Sequence, residues 1–421
     1  MLEEIILDNG LKLLLFPMEK TEALTILFLT KTGSKYETKN LNGISHLLEH
    51  LLFRGTKSWP EPTSIAKELD RVGGFYNAFT DKEMLGVIVK VAPENFVLAA
   101  KIVAEMVSQP LLAESGIAKE KKIVIEEINM RQDDPPTLVG DLWERLLYGD
   151  QPAGWPVIGA KEVIEKMGRE NLISHFKDCF VARNSIIIIA GSFKSPEAEK
   201  IIKDSFSRLP GGKGVVKVLV KESQNLPAIE LLSKQTDQTH LCLGVRGFNV
   251  FSPQKYVLEV IAALLGGMMS SRLFVEIREK RALAYYVKTV AEEYTDSGYL
   301  VTQAGIANSR VLEAIEIICH EYRRLKTELV LEDELSRVKE NLRGHLRLHL
   351  ETSEQFATFF GVQKILKDKV MTPQQEWKQI AKVGQDDILK VSKEIFQPER
   401  LNLALIGPHH NKDSFVPFLL V

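Results

Sequence analysis

Two histidines and a glutamate in the N-terminal part of the chain have the spacing that a metal site on a helix requires. In the segment His46-Leu-Leu-Glu49-His50, the two histidines are four residues apart. About one helical turn separates them, so both imidazoles lie on one helix face with Glu49 beside them. Two imidazoles can occupy two corners of a tetrahedral zinc site, and the carboxylate can act on water next to the metal. The order H-x-x-E-H inverts the zinc-binding pattern H-E-x-x-H, so the segment predicts a zinc centre.

The alternative interpretation is an amphipathic helix with two histidines on the protein surface. The apolar residues between Ile44 and Phe53 argue against it, because they cover most sides of the helix. These residues are Leu47, Leu48, Leu51, Leu52 and Phe53. A helix that is apolar nearly all round is predicted to be buried. Buried histidine and glutamate side chains need polar partners, and a metal ion supplies one.

A hydrolytic zinc site needs a third protein ligand and one open position. The main candidate is Glu127, in a helix predicted from Ala118 to Met130. Glu120 precedes it by two helical turns on the same face, so both carboxylates can face one site. Glu126 points about 100° away and is expected at the surface. An ordinary solvated glutamate remains the alternative interpretation of Glu127.

The composition is that of a globular protein with more than one domain. Apolar residues make up 45% of the 421 residues and charged residues 26%, which are ordinary values. This length exceeds what a single hydrophobic core usually supports. The net charge of −2 gives no support for nucleic acid or an anionic membrane as the main partner.

The cysteines and the N-terminus favour a cytoplasmic protein. Cys179, Cys242 and Cys319 are far apart and form no C-x-x-C motif, so we interpret them as reduced core residues. The first residues lack the basic region of a signal peptide. No apolar run has the length of a membrane span, so no membrane partner is expected.

Turn residues and apolar patterns place the zinc motif between strands. A hairpin is predicted from strands at 3–7 and 11–16, joined at Asp8-Asn9-Gly10. The motif helix is expected from about Asn42 to Arg54, with Gly55 after it. The other predicted elements are strands at 23–32, 74–80 and 83–91, helices from Thr63 to Gly73 and from Pro93 to Ser108, and shorter helices within 137–180. Residues 185–190 form a continuous apolar strand, which is typical of the middle of a sheet.

The second half of the chain repeats the pattern of the first. Residues 180–191 align with 396–407, and residues 120–127 align with 334–341, both at an offset of about half the chain length. We therefore predict an α+β fold of two tandem homologous domains, each a mostly antiparallel sheet covered by helices. The predicted domains are 1–208 and 226–421, with a linker at 209–225.

Two other motifs are interpreted as structural. Leu209-Pro-Gly-Gly-Lys-Gly214 is similar to a fragment of a phosphate-binding loop, but no G-K-S/T follows, so we interpret it as the start of the linker. His345 and His349 also have helical spacing, but no glutamate lies between them and Arg347 would repel a cation. By the half-chain offset, the second-half counterpart of the motif helix, at 256–265, carries no histidine pair.

Taken together, these segments resemble the pitrilysin/insulinase family of inverted-zincin metallopeptidases. The resemblance rests on the H-x-x-E-H segment with Glu127 after it, and on two further segments. Gly73-Gly-Phe-Tyr-Asn-Ala-Phe-Thr80 is similar to the family's G-G-x-x-N-A-x-T, and the segment from Leu265 to Tyr285 is similar to its glycine turn and Arg/Tyr element. The resemblance covers nearly the whole chain. The length is that of small two-domain bacterial members and of mitochondrial processing peptidase beta subunits.

The resemblance implies roles for individual residues. The implied zinc ligands are His46, His50 and Glu127, and the implied general base is Glu49. Glu120 would be the carboxylate that orients a zinc-binding histidine. Asn77 and Ala78 would lie on an edge strand that pairs with substrate, and Arg278 and Tyr285 would reach the substrate near the scissile carbonyl. Two positions depart from the family pattern. Ala282 replaces a frequent glycine, and we expect no effect on Tyr285. Met84-Leu85-Gly86, after Glu83, is less polar than usual.

The implied activity is that of a zinc-dependent endopeptidase acting on short or unfolded peptides. Larger family members resemble two such chains fused, so a homodimer, or a heterodimer with a paralogue, is expected to enclose the substrate. Each site would then combine zinc from one subunit with Arg278 and Tyr285 from the other. One alternative is a non-catalytic, presenting subunit of a processing-peptidase-like complex, which the intact motif disfavours. The other is a zinc hydrolase of non-peptide substrates, which the edge strand disfavours.

Overall fold

The computed structural model describes residues 2–421. Its strands are β1 (Glu3–Ile6), β2 (Lys12–Pro17), β3 (Leu24–Thr30), β4 (Phe75–Thr80), β5 (Leu85–Val91), β6 (Ser185–Gly191), β7 (Ala228–Ser233), β8 (Gln238–Arg246), β9 (Ala284–Glu293), β10 (Gly298–Ala307) and β11 (Asn402–Gly407). Its α-helices are α1 (Ile44–Leu52), α2 (Ser64–Arg71), α3 (Phe96–Ser108), α4 (Glu114–Gln132), α5 (Pro135–Tyr148), α6 (Lys161–Lys166), α7 (Arg169–Cys179), α8 (Ser195–Ser205), α9 (Lys255–Gly266), α10 (Val311–Thr327), α11 (Glu332–Leu348), α12 (Ser353–Lys367), α13 (Pro373–Lys382) and α14 (Gln385–Ile395).

The first sheet has the strand order β1-β2-β6-β3-β5-β4. Strands β1 and β2 form the predicted antiparallel hairpin. Strand β6 lies between β2, to which it is parallel, and β3, to which it is antiparallel. All of its residues are buried, which agrees with the predicted central position of this apolar strand. At the other side of the sheet, β4 pairs with β5 and forms an edge within the described chain.

The second sheet repeats this topology with the order β7-β11-β8-β10-β9. Strand β11 takes the place of β6, since it is parallel to β7 and antiparallel to β8. Strand β9 takes the place of β4 at the edge and pairs with β10. The prediction of an α+β fold with two domains of one topology is therefore confirmed.

The two compact units are not contiguous in sequence. Unit 1 contains residues 1–130, 155–218 and 349–370, and unit 2 contains residues 131–154, 219–348 and 371–421. Compared with the predicted contiguous domains, each half of the chain contributes one helical segment to the unit of the other half. Helix α5 belongs to unit 2, and α12 belongs to unit 1.

The exchanged helices each cover one apolar face of a sheet. In unit 1, α12 packs on β3 and β6, and its Ala357 and Ile365 join a buried cluster with Leu27 and Ile188. In unit 2, α5 packs on β8 and β11, and its Trp143 belongs to the buried cluster on that side of the sheet. Successive residues of a β-strand point to opposite faces of the sheet, so a sheet that is apolar on both faces needs helices on both of them. The other helices of each unit supply the second layer.

The three cysteines are buried thiols. Cys179, Cys242 and Cys319 are free cysteines inside the protein, in agreement with the predicted core positions. No helix within residues 2–421 combines the length and the apolar character that crossing a bilayer would require.

Candidate active site

Helix α1 places the H-x-x-E-H side chains on its only polar face. Leu47, Leu48, Leu51 and Leu52 are buried in the core of unit 1, as the sequence predicted. Each of the two histidine side chains keeps 17% of its surface exposed. The helix therefore has one face buried in the core and another, partly exposed to solvent, that carries the titratable side chains.

Helix α4 brings Glu127 to the two imidazoles. Glu127 Oε2 lies 3.9 Å from His46 Nε2 and 3.5 Å from His50 Nε2, and one ligand atom of each residue falls within 4.8 Å of the others. Ligands placed tetrahedrally about 2.0–2.2 Å from zinc are about 3.3–3.6 Å apart. The Glu127–His50 separation of 3.5 Å lies in this range, and the Glu127–His46 separation of 3.9 Å is slightly longer. The donor set of two nitrogens and one carboxylate oxygen suits zinc and leaves a fourth position for water or substrate.

Glu120 holds the far side of the His50 ring. Its Oε2 is 3.2 Å from His50 Nδ1, and its other oxygen forms an ion pair of 2.5 Å with Arg54 Nε. The Glu120 side chain is only 1% exposed. A carboxylate that accepts the Nδ1 proton leaves Nε2 as the lone-pair donor, which is the tautomer needed to bind a metal through Nε2.

Glu49 is hydrogen bonded to the edge strand. Thr80 Oγ1, at the end of β4, donates to Glu49 Oε2 at 2.6 Å. Burial raises the pKa of the Glu49 carboxyl above its ordinary value and Glu127 adds to this, while the Thr80 bond and His50 oppose it. A carboxylate of raised pKa holds a proton more readily, which suits a general base beside a metal.

Strand β4 presents an edge next to this group. Helix α1 packs against β4, so the polar face of the helix and the edge of the sheet belong to one surface of unit 1. Ala78 is buried and Asn77 is exposed, as alternation along a strand requires. The Asn77 side chain accepts a hydrogen bond from the Ala78 N–H at 2.9 Å.

Arg278 and Tyr285 lie together in unit 2. Arg278 belongs to the π-helical turn Phe274–Glu279, and its guanidinium carbon is 4.9 Å from the ring centre of Phe274 and 5.9 Å from that of Tyr285. Tyr285, on the edge strand β9, is 76% exposed. The structure thus forms an exposed arginine–tyrosine pair, stabilised by cation–π contact.

The two departures from the family pattern have structural explanations. Ala282 has a φ of 48°, in the left-handed region that favours glycine, and alanine there costs about 1–2 kcal/mol. The Leu283 N–H still donates to the Ile277 carbonyl at 2.8 Å, so the turn before Tyr285 keeps its hydrogen bonds. Met84-Leu85-Gly86 is buried, so its apolar character belongs to the core. The adjacent Glu83 is buried as well, and its ion pair with Lys35 measures 2.9 Å.

Within residues 2–421, the three potential ligands that lie close enough together to hold a metal ion are His46, His50 and Glu127. Glu126 is exposed, as predicted. His345 lies on α11, whereas His349 follows the end of that helix, so the regular spacing of this second pair is interrupted.

Thr80 and Arg54 contact site residues, although the sequence patterns give neither of them a role. Strand alternation could have indicated Thr80, because it shares a strand face with Ala78, the side turned to the protein. Arg54 lies four residues after His50, but α1 ends at Leu52, so helical spacing alone would not have placed its guanidinium on Glu120.

Two family models match the chain. Residues 16–161 match the model described as "Insulinase (Peptidase family M16)", and residues 166–342 match the model described as "Peptidase M16 inactive domain". The first match contains all three residues of the candidate metal group, and the second contains Arg278 and Tyr285.

Curated relatives match along nearly the whole chain. A Bacillus subtilis protein described as the uncharacterized zinc protease YmxG is 32% identical over 98% of this chain and 100% of its own length. An uncharacterized zinc protease of Streptomyces coelicolor is 28% identical over 97% of this chain and 90% of its own length.

Solved structures share the fold. A protease from Helicobacter pylori superposes with a TM-score of 0.91 at 23% identity and covers 97% of this chain and 99% of its own. A peptidase M16 inactive domain from Pseudomonas fluorescens gives a TM-score of 0.89 at 18% identity, over 98% and 99% of the two chains. At these identities the likeness concerns the fold.

Proposed function

The chain belongs to the insulinase family of peptidases, M16, and we propose that it is a zinc-dependent endopeptidase that hydrolyses short or unfolded peptides. The observation that carries the proposal is that ligand atoms of three residues lie within 4.8 Å of one another, with Glu49 on the same helix as the two histidines. His46, His50 and Glu127 would hold the zinc. When bound there, zinc supplies Lewis-acid chemistry, which polarises the peptide carbonyl and makes water more acidic.

Glu49 is placed to move the proton in this reaction. Its Oε2 is occupied by the hydrogen bond from Thr80, which leaves Oε1 to accept a proton from the attacking water. The same carboxyl then gives that proton to the leaving nitrogen of the peptide. Thr80 fixes the carboxylate orientation, so the base does not need to reorganise when substrate arrives.

The edge strand β4 is placed to hold the substrate. Its outer edge carries no further strand of the described chain, so an extended peptide could add to it through backbone hydrogen bonds. Backbone pairing makes little demand on side-chain identity, and folded proteins do not offer an extended segment. These properties support a preference for short or unfolded peptides.

The test combines metal analysis with a quenched fluorescent peptide of unstructured sequence. We expect about one zinc per chain, cleavage that a chelator abolishes, and recovery when zinc is added back. A protein that holds full zinc but cleaves no peptide would instead support a presenting subunit. A protein that binds no zinc would contradict the assignment.

We propose further that two copies of the chain, or one copy and a paralogue, enclose the substrate as a dimer. The exposed pair of Arg278 and Tyr285 supports this, because an exposed tyrosine at a sheet edge offers hydrogen-bond and stacking surface to another molecule. In such a dimer, Tyr285 of one subunit would donate to the developing oxyanion at the other subunit's zinc site, and Arg278 would anchor peptide carbonyls.

Mixing two inactive variants tests the shared site. One is Glu49→Gln and the other is the double variant Arg278→Ala/Tyr285→Phe, combined under conditions in which subunits exchange. We expect recovery of roughly a quarter of wild-type activity, since half of the dimers would be mixed and each would carry one intact site. Demonstrated exchange without recovery would show that each chain builds its site alone.

A further inference from the structure

The first turn of α1 is held by a carboxylate from outside the helix. Glu37 accepts hydrogen bonds from the backbone N–H of Gly43 at 2.8 Å and of Ser45 at 2.9 Å. The side-chain amide of Asn42 donates to the same carboxylate at 2.9 Å. Glu37 is only 5% exposed. Burial raises the pKa of its carboxyl, and the hydrogen bonds from Ser45, Gly43 and Asn42 oppose that rise, because N–H donors favour the ionised form.

The local sequence explains why a side chain six residues before Gly43 caps this helix. The residue before α1 is Gly43, whose φ of 93° and missing side chain leave the helix without a capping oxygen of its own. A Cβ at this position would lie 2.7 Å from the Ile158 carbonyl oxygen, so serine or aspartate cannot be placed there. Helix N-termini expose unpaired N–H groups and favour negative charge, and Glu37 supplies both the acceptor and the charge.

Ser45, the residue before His46, is fixed through its side chain as well. Its Oγ accepts a hydrogen bond from the Gly33 N–H at 3.2 Å and lies 3.1 Å from His175 Nε2. Together with the hydrogen bond from the Ser45 N–H to Glu37, these contacts fix the position of the backbone immediately before His46. The first-turn bonds therefore act on the position of one of the three candidate ligands.

The rest of α1 is held in a different way. The first turn contributes one side chain, Ile44, to the core, whereas from Leu47 to Leu52 the helix is anchored there by four leucines. His50 is oriented by Glu120. Loss of the carboxylate cap would loosen the turn that contains His46 while the leucine-anchored part stays in place. His46 would then no longer reach the ion together with His50 and Glu127.

We propose that Glu37 is a positioning residue of the metal site, which sets the first turn of α1 so that His46 binds the same zinc ion as His50 and Glu127. This inference rests on the zinc site of the proposed function. It assigns to Glu37 an effect on zinc affinity that a residue needed only for stability would not have.

The test compares Glu37→Gln with wild type in three measurements: zinc affinity by competition with a chromogenic chelator, thermal unfolding of the zinc-free protein, and peptide cleavage at limiting and excess zinc. We expect zinc affinity to fall roughly 10- to 100-fold, as for other residues that orient metal ligands. Cleavage should fall at limiting zinc and recover partly at excess zinc, because mass action compensates for weaker binding.

Glu105→Gln is the matched control. Glu105 is a buried carboxylate of the same unit with three donors, from Thr56 Oγ1 and from the Ser58 N–H and hydroxyl, and none of them lies in the first turn of α1. We expect this variant to lower the unfolding temperature while leaving zinc affinity unchanged. If Glu37→Gln does not fold, Glu37→Asp keeps the charge but is too short to reach both N–H groups, and it replaces Glu37→Gln in the comparison.

The outcomes separate this inference from the function on which it rests. Wild-type zinc affinity in the Glu37 variant, or an equal loss in the Glu105 control, would overturn the positioning role while the zinc site stands. Failure of the wild-type protein itself to bind zinc would overturn the proposed function, and the role of Glu37 with it.

Discussion

Replacing Glu49 with glutamine is expected to lower peptide cleavage by about 100- to 10,000-fold, the usual contribution of a general base. Glutamine can still accept the hydrogen bond from Thr80 but cannot take a proton from water. Zinc content should not change, because Glu49 is not one of the three grouped ligands. The measurements are cleavage of a quenched peptide and zinc per chain, made on the same preparation.

Retained zinc is the internal control for this variant, because it shows that the fold around α1 is intact. If Glu49→Gln cleaved peptide at nearly the wild-type rate, another group would have to be the base. If Glu49→Gln lost zinc as well, the assignment of Glu49 as a base that is not a zinc ligand would be wrong.

Replacing Glu127 with glutamine is expected to weaken zinc binding by about 100-fold or more. Structural zinc sites bind with about 10–16 kcal/mol distributed over four ligands, so one lost anionic ligand costs about two orders of magnitude in affinity. Peptide cleavage should fall with the zinc content. The measurements are zinc per chain after dialysis and the dissociation constant by chelator competition.

Glu126→Gln is the matched control, since it makes the same chemical change at the adjacent, exposed position of α4. It should keep wild-type zinc and activity. If Glu127→Gln keeps its full zinc content, the third zinc ligand must be Glu120 or Glu126. Loss of zinc in Glu126→Gln would then identify Glu126 as that ligand.

The sequence was informative where local periodicity determines the outcome. The four-residue spacing of His46 and His50 predicted their common face, and the apolar residues from Leu47 to Phe53 predicted that α1 is buried over most of its circumference. The half-chain repeat predicted that the strand at 402–407 would take the place of the strand at 185–191, and the two sheets have that arrangement. Each of these features depends on residues within one element or on a comparison of two similar segments.

The partners of the site residues depend on tertiary structure and could not be derived in this way. The Thr80 bond to Glu49 joins a strand to a helix, and the Glu37 cap joins a loop to a helix start. Helix α12 is similarly informative, because its apolar residues predict that one face is covered but do not specify which sheet covers it. The predicted contiguous domains at 1–208 and 226–421 group each helix with the sheet from its own half of the chain. The compact units instead group α5 and α12 with the sheet from the other half.

The exchange of α5 and α12 has a consequence for the biosynthesis of the protein. The strands of the first sheet are complete when the ribosome has made residue 191, but α12, which covers one face of that sheet, ends at Lys367. At 5–20 residues per second, the intervening stretch of about 180 residues takes roughly 9–35 s to translate. During that time leucine and isoleucine side chains such as Leu27 and Ile188, fully buried in the finished protein, have no helix over them. The nascent chain therefore carries an apolar surface of the kind that chaperones bind. The core on the other face of this sheet is built from first-half residues alone, whereas the face under α12 is covered only when most of the second half has been synthesised.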